Sequence, residues 1–231
     1  MDNRKSAWEY GLSTHRGAVR KINEDNALLK VVTDPDGNEL TVVMVADGMG
    51  GYQAGDVASK TVVDQMNSWV DEHMSSFFDE EDPLEAIAIH LEKFLHDTNH
   101  HLMVFGNRKG LRLGTTASIL LLYPRKYLVV HVGDSRIYHV QTASKARLSQ
   151  TEEIVTDDAD TDVLSGGMKL RQITEDHSWV NDQVKRGAMT KQEANPHPKR
   201  NVLMQCLGID QGIKPYLSVG TYADHDLFLL C

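Results

Sequence analysis

The sequence predicts an α+β layered domain, and three observations carry that expectation. Strand-like segments cluster toward both ends of the chain, two long amphipathic helices lie between them, and no apolar run approaches the length of a membrane span. No internal repeat is present. With 231 residues, 41% of them hydrophobic, the chain can bury one sizeable core and is expected to form a single domain over 1–231.

Three strand-like segments come first, at 8–14, 26–32 and 40–46. The last two flank Asp34-Pro35-Asp36-Gly37-Asn38, a strong turn signal, and read as a hairpin. Ala54, Ala58, Val62, Met66 and Val70 recur every four residues and predict a helix. After Pro83, the set Leu84, Ile87, Ala88, Leu91, Leu95, Thr98 and Leu102 predicts a longer one. Each should lay one side on a sheet. Strands resume at 115–122, 127–132 and 136–140 as an expected antiparallel meander. The polar stretch at about 142–168 lacks sustained periodicity and carries Glu152, Glu153, Asp157, Asp158, Asp160 and Asp162, so it reads as an acidic insertion. A strand at 170–173, a helix at 178–186, a short helix from Thr190 and strands at 217–222 and 226–231 complete the chain.

The formal net charge of −9 argues against nucleic acid or an anionic membrane as partner, since no Lys/Arg-rich block opposes it. Cys206 and Cys231 are the two cysteines, too few and too far apart for a disulfide framework or a thiolate zinc site. With a polar start that does not read as a secretory signal, a cytoplasmic location is expected.

The chemistry concentrates in acids at strand ends. The apolar run Val42-Val-Met-Val-Ala46 meets Asp47, followed by Gly48-Met49-Gly50-Gly51, and a carboxylate at the edge of a core needs a cation or donors facing it. Glu24 and Asp25 precede a strand, and Asp134 follows another. Acids at one edge of a sheet can converge, and oxygen-only ligands select a hard cation, Mg²⁺ or Mn²⁺, over zinc. Arg20, four residues before Glu24, suits a bidentate grip on phosphate.

The runs Gly17-Ala-Val-Arg20-Lys-Ile-Asn23-Glu24-Asp25, Val45-Ala-Asp47-Gly48-Met49-Gly50-Gly51, Gly114-Thr115-Thr116, Val132-Gly133-Asp134-Ser135-Arg136 and Ile173-Thr-Glu-Asp176-His177-Ser178 follow one another in order. Together they resemble the motif series of the PP2C-type metal-dependent Ser/Thr phosphatases. Met49, where eukaryotic members commonly have His, resembles the bacterial branch.

The resemblance implies an α/β/β/α sandwich, two antiparallel sheets flanked by helix pairs, and hydrolysis of phosphoserine and phosphothreonine by a metal-activated water. It implies that Asp47 bridges two Mn²⁺ or Mg²⁺ ions and that the Gly48 carbonyl completes one of them. Glu24 and Asp25 would act through bound water, Asp134 would help hold a third, weaker ion, and Arg20 would hold the substrate phosphate. Phosphorylated proteins and a cognate Ser/Thr kinase are the implied partners, and 177–200 the implied flap beside the site.

Two departures from the family pattern stand out. The family's last two metal-binding aspartates lie beyond the position of Cys231, so the chain is expected to be a piece of a longer protein, and the insertion replaces a tight hairpin. Two rivals share the fold: a binding module without catalysis, and a phosphatase devoted to regulators of transcription or sporulation, against which Arg20 argues.

Other signals fail on their own chemistry. Asp158, Asp160 and Asp162 open like an EF-hand loop, but Val163 and Lys169 replace its Gly and Glu. The span from Gly50 to Gly55 lacks the Lys of a P-loop. His96 and His100 fall opposite the apolar helix face, and no nucleophile elbow supports Ser135 or Ser178.

Overall fold

The computed structural model describes residues 8–50, 54–142, 161–163 and 168–231. Strands β1 (Asp25–Thr33) and β2 (Glu39–Gly50) form the expected hairpin, closed by the Asp34 carboxylate, which accepts from the Asn38 N–H at 2.7 Å and the Tyr123 hydroxyl at 2.6 Å. Burial alone would raise the Asp34 carboxyl, yet these donors hold it down to about 2. Helices α1 (Ala54–His73) and α2 (Pro83–Lys109) follow, joined through a 3₁₀ turn at Met74–Asp79. Asp82 caps α2, and Gly110 ends it in the left-handed region.

The remaining strands are β3 (Leu113–Thr115), β4 (Ala117–Tyr123), β5 (Lys126–Val132), β6 (Ile137–Gln141), β7 (Thr161–Val163), β8 (Lys169–Gln172), β9 (Tyr216–Thr221) and β10 (Leu227–Leu230). Two short helices lie between β8 and β9, α3 (Trp179–Lys185) and α4 (Lys191–Ala194). The first sheet runs β1-β2-β4-β5-β9 with β3 on the end of β2, and the second runs β10-β6-β8-β7. Every pairing is antiparallel.

Two cores explain the layering. Ala54, Ala58, Val62, Met66 and Val70 of α1 and Leu84, Ile87, Leu91, Leu95 and Leu102 of α2 pack on Leu40, Val42, Met44, Ile119 and Leu121 of the first sheet. The opposite face of that sheet, with Leu120, Leu122, Tyr127 and Val129, meets Ile137, Phe228 and Leu230 of the second. Strand β4 is buried on both faces, which is why its run Ile119-Leu-Leu-Leu122 is continuously apolar. This is the helix–sheet–sheet order expected, with α3 and α4 beside the second sheet.

Several expectations need correction. The segment 8–14 is not a strand: Tyr10 and Leu12 are exposed, while Trp8 packs edge-on to Tyr222 with ring centroids 5.0 Å apart and Thr14 Oγ1 accepts from Asn23 Nδ2 at 2.6 Å. The expected strand 115–122 is two strands, because the chain turns at Thr116 to pair first with the end and then with the middle of β2. The meander breaks after β5, since β6 leaves for the second sheet. The second flank needs no correction: α3 and α4, seven and four residues long, are the helix predicted at 178–186 and the short one predicted from Thr190. Within the expected insertion, Thr161–Val163 is a strand paired with β8, while Glu152, Glu153, Asp157, Asp158 and Asp160 lie outside the described residues.

Candidate active site

Asp47 does not follow β2 but lies inside it. The strand continues to Gly50, and the register pairing Thr33 with Glu39 places Asp25 directly opposite Asp47. Three hydrogen bonds lock the Asp47 backbone: its N–H donates to Thr116 Oγ1 at 2.8 Å, and its carbonyl accepts from the Thr116 N–H at 2.9 Å and Thr115 Oγ1 at 3.0 Å. Beside it the Gly48 N–H donates to the Glu24 carbonyl at 3.0 Å, which also accepts from Ser59 Oγ of α1 at 2.6 Å.

The first turn of α1 presses on this junction. A Cβ added to Gly48 would lie 2.1 Å from the Gly55 carbonyl oxygen, and one added to Gly55 would lie 2.6 Å from Glu24 Oε1. The Glu24 carboxylate therefore rests on the N-terminal turn of α1, where the helix dipole favours negative charge. Arg20 reaches its other oxygen at 3.3 Å from an exposed position.

Asp134 arrives from the connection between β5 and β6, where the chain crosses from the first sheet to the second. Gly133, with φ of +120°, turns the chain out of β5, and the Asp134 carboxyl is raised by its burial and by Asp176. Asp176 is held by Arg136, with Nη2 to Oδ2 at 2.6 Å. Asp47 feels the whole group. Burial and the Asp25 charge raise its carboxyl to about 6, Asp134 adds to the rise, and Arg20 opposes it.

All six residues expected from the sequence, Arg20, Glu24, Asp25, Asp47, Gly48 and Asp134, thus gather at one end of the sandwich. They converge without closing: among the described residues, no three His, Cys, Asp or Glu side chains form a ready-made cage. The donor chemistry still fits a hard divalent cation. The donors are all oxygen, and the Asp25–Asp47 pair carries a repulsion that a dication relieves.

A supporting network was missed from the sequence. Thr116 Oγ1 and Ser135 Oγ are 2.7 Å apart, Ser118 Oγ and His131 Nδ1 are 2.8 Å apart, and the Gly133 N–H donates to His177 Nδ1 at 3.1 Å. Its signal was the hydroxyl and imidazole side chains embedded in apolar runs. Burial and the neighbouring His177 lower the His131 imidazole to about 3, so it is neutral. Ser135 is committed to Thr116, Ser178 caps α3, and burial pushes the Cys206 thiol up to about 12, so none of them is an activated nucleophile. His96 and His100 are exposed, as read from the sequence.

The family profile of protein phosphatase 2C matches residues 15–156. The serine/threonine phosphatase stp of Listeria monocytogenes is 30% identical over 220 residues, covering 94% of this chain and 74% of that protein. Protein phosphatase PhpP of Streptococcus pneumoniae is 28% identical over 192 residues, covering 82% and 65%. Among solved structures, the S. agalactiae serine/threonine phosphatase superposes with a TM-score of 0.68 at 26% identity, covering 93% of this chain and 74% of that one. The catalytic domain of the phosphatase PstP, solved in complex with two manganese ions, gives a TM-score of 0.61 at 26% identity, covering 94% and 73%.

Proposed function

Because the chain belongs to the protein phosphatase 2C family and is a protein serine/threonine phosphatase, we propose that its six clustered residues seat the cations of that chemistry and the substrate phosphate. Asp47 would hold two ions, Mn²⁺ or Mg²⁺, with the Gly48 carbonyl, Glu24 and Asp25 completing their surroundings and Asp134 serving a third, weaker one. Bound there, such cations lower the pKa of an attacking water and stabilise in-line displacement at phosphorus.

The protein's own groups do the positioning. Arg20 sits at the rim, and its pair with Glu24 is exposed and weak, so the guanidinium is free to exchange that carboxylate for two phosphate oxygens. Three backbone hydrogen bonds fix where the Asp47 carboxyl begins. Met49 has no proton to give, so the departing serine or threonine oxygen would take its proton from water or another group.

Substrates are phosphorylated proteins. A Ser/Thr kinase that writes those phosphates is the partner this reading implies. A reducing, cytoplasmic site of action accords with the free thiols of Cys206 and Cys231.

The observation that carries the reading is the opposition of Asp25 and Asp47 across one strand pair, with Arg20 alongside. The test is hydrolysis of p-nitrophenyl phosphate and a phosphothreonine peptide titrated with Mn²⁺. Turnover that rises with Mn²⁺ and vanishes on chelation supports it; turnover indifferent to chelator sinks it.

A further inference from the structure

Asp47 and Asp134 come from different parts of the fold, one from a strand of the first sheet and the other from the connection leading into the second. A cation site shared by both needs their spacing held closely, because ligand geometry depends on the groups that support the ligands. One short bridge joins them. The Asp47 N–H donates to Thr116 Oγ1 at 2.8 Å, Thr116 Oγ1 lies 2.7 Å from Ser135 Oγ, and Ser135 follows Asp134 in the chain. Both hydroxyl residues are buried.

The fit around Thr116 is tight on its other side as well. A Cβ added to Gly133 would lie 2.5 Å from Thr116 Cγ2, so the threonine methyl fills the slot that the glycine leaves open. Beneath the bridge, the peptide groups of the Gly133–Ser135 turn are tied to the interior. Ser118 Oγ donates to the Ser135 carbonyl at 3.3 Å, and His131 Nε2 lies 3.0 Å from the Gly133 carbonyl oxygen. The His177 N–H donates to that same oxygen at 2.7 Å, while its ring accepts from the Gly133 N–H at 3.1 Å. Ser118 and His131 are fully buried, which makes these bonds costly to leave unmade.

We propose that Thr116 and Ser135 are positioning residues whose paired hydroxyls set the distance between Asp47 and Asp134. The inference rests on the metal-site reading above. Valine at 116 keeps the branched shape and removes the hydroxyl, stranding the Asp47 N–H and the Ser135 hydroxyl; serine keeps the hydroxyl and gives up the methyl.

Calorimetric titration of the 231-residue chain with Mn²⁺ tests this, at a temperature where circular dichroism shows parent and variants folded. Thr116→Val should weaken Mn²⁺ binding about tenfold or more, and Thr116→Ser should restore most of it. Ser135→Ala is the second probe, should Thr116→Val fail to fold, and is expected to weaken Mn²⁺ binding in the same way. Parent-like Mn²⁺ affinity in a folded Thr116→Val protein, or in Ser135→Ala, overturns the positioning role. Failure of the parent itself to bind Mn²⁺ overturns the metal site and this inference with it, a result distinct from parent binding that the variants leave unchanged.

Discussion

Asp25 and Asp47 face each other across β1 and β2, and the Asp25 charge adds to burial in raising the Asp47 carboxyl. Like charges directly opposite on a sheet destabilise it. The Asp47 carboxyl, near 6, binds its proton more readily in the folded chain than in the unfolded one, where 3.8 is ordinary. Its cost is therefore full above pH 6 and disappears as the pH falls below about 4. In metal-free protein, Asp47→Asn should raise Tm at pH 8, with the gain closing by pH 4. Asp47 is exposed on one side, and screening limits the gain to about 1 kcal/mol, a few degrees. With Mn²⁺ present the same variant should lose nearly all turnover. A lower Tm at pH 8 in chelator, or activity within about tenfold of the parent, would contradict the paired-carboxylate account.

Arg20→Ala should act mainly on KM. The lost charge-assisted bonds to phosphate are worth about 1 to 3 kcal/mol, and the Glu24 pair it also breaks contributes little at the surface. Steady-state kinetics on a phosphothreonine peptide decide this, and an unchanged KM removes Arg20 from the substrate.

His131 makes the fold acid-sensitive. Its folded value near 3 lies below the 6.5 of an exposed imidazole, so the unfolded chain takes up the proton first and stability falls as pH drops from 6.5 toward 3. His177 shifts in the same direction. Asp47 has the opposite sign, so the measurement belongs in the Asp47→Asn background. Urea midpoints there should show about 2 kcal/mol less stability from His131 at pH 5 than at pH 7.5. A flat profile would mean that His131 is not held neutral.

Gly48→Ala should cost both stability and activity. The added Cβ would meet the Gly55 carbonyl oxygen at 2.1 Å and the Glu24 carbonyl oxygen at 2.7 Å, and neither is a flexible side-chain end. A loss of about 1 to 3 kcal/mol in a denaturant titration is expected. Unaltered stability would mean that α1 can draw away from β2 without penalty.

Removing residues 144–159 should leave p-nitrophenyl phosphate turnover largely intact, since this deletion spares β7 and all six clustered site residues. Extending it through Thr161–Val163 strips the partner of β8 and bares a strand edge, so that longer variant should aggregate more readily. Light scattering and turnover on the two deletions separate the effects.

Much of the fold was legible because burial imposes a period. The every-fourth-residue set in α1 is buried throughout, and the turn at 34–38 is the hairpin turn. The Asp25–Asp47 opposition was within reach, since it continues the register that the turn starts; ending the strands at 26 and 46 concealed it. The departure of β6 was not legible. An apolar strand after a short turn fits either sheet locally, and the choice depends on Gly133 and on partners far away in sequence, with β6 pairing to β8 and β10.

The sequence by itself determined the strand and helix faces, the turn chemistry and the residue types of the site, because these follow from local periodicity and from what each side chain can donate or accept. Tertiary structure alone decided that Asp134 reaches Asp47, that Glu24 rests on the first turn of α1, and that Thr116, 69 residues from Asp47, holds its backbone. Those outcomes depend on distances between groups far apart along the chain, and such distances exist only once two sheets have packed and fixed the register of every strand between them.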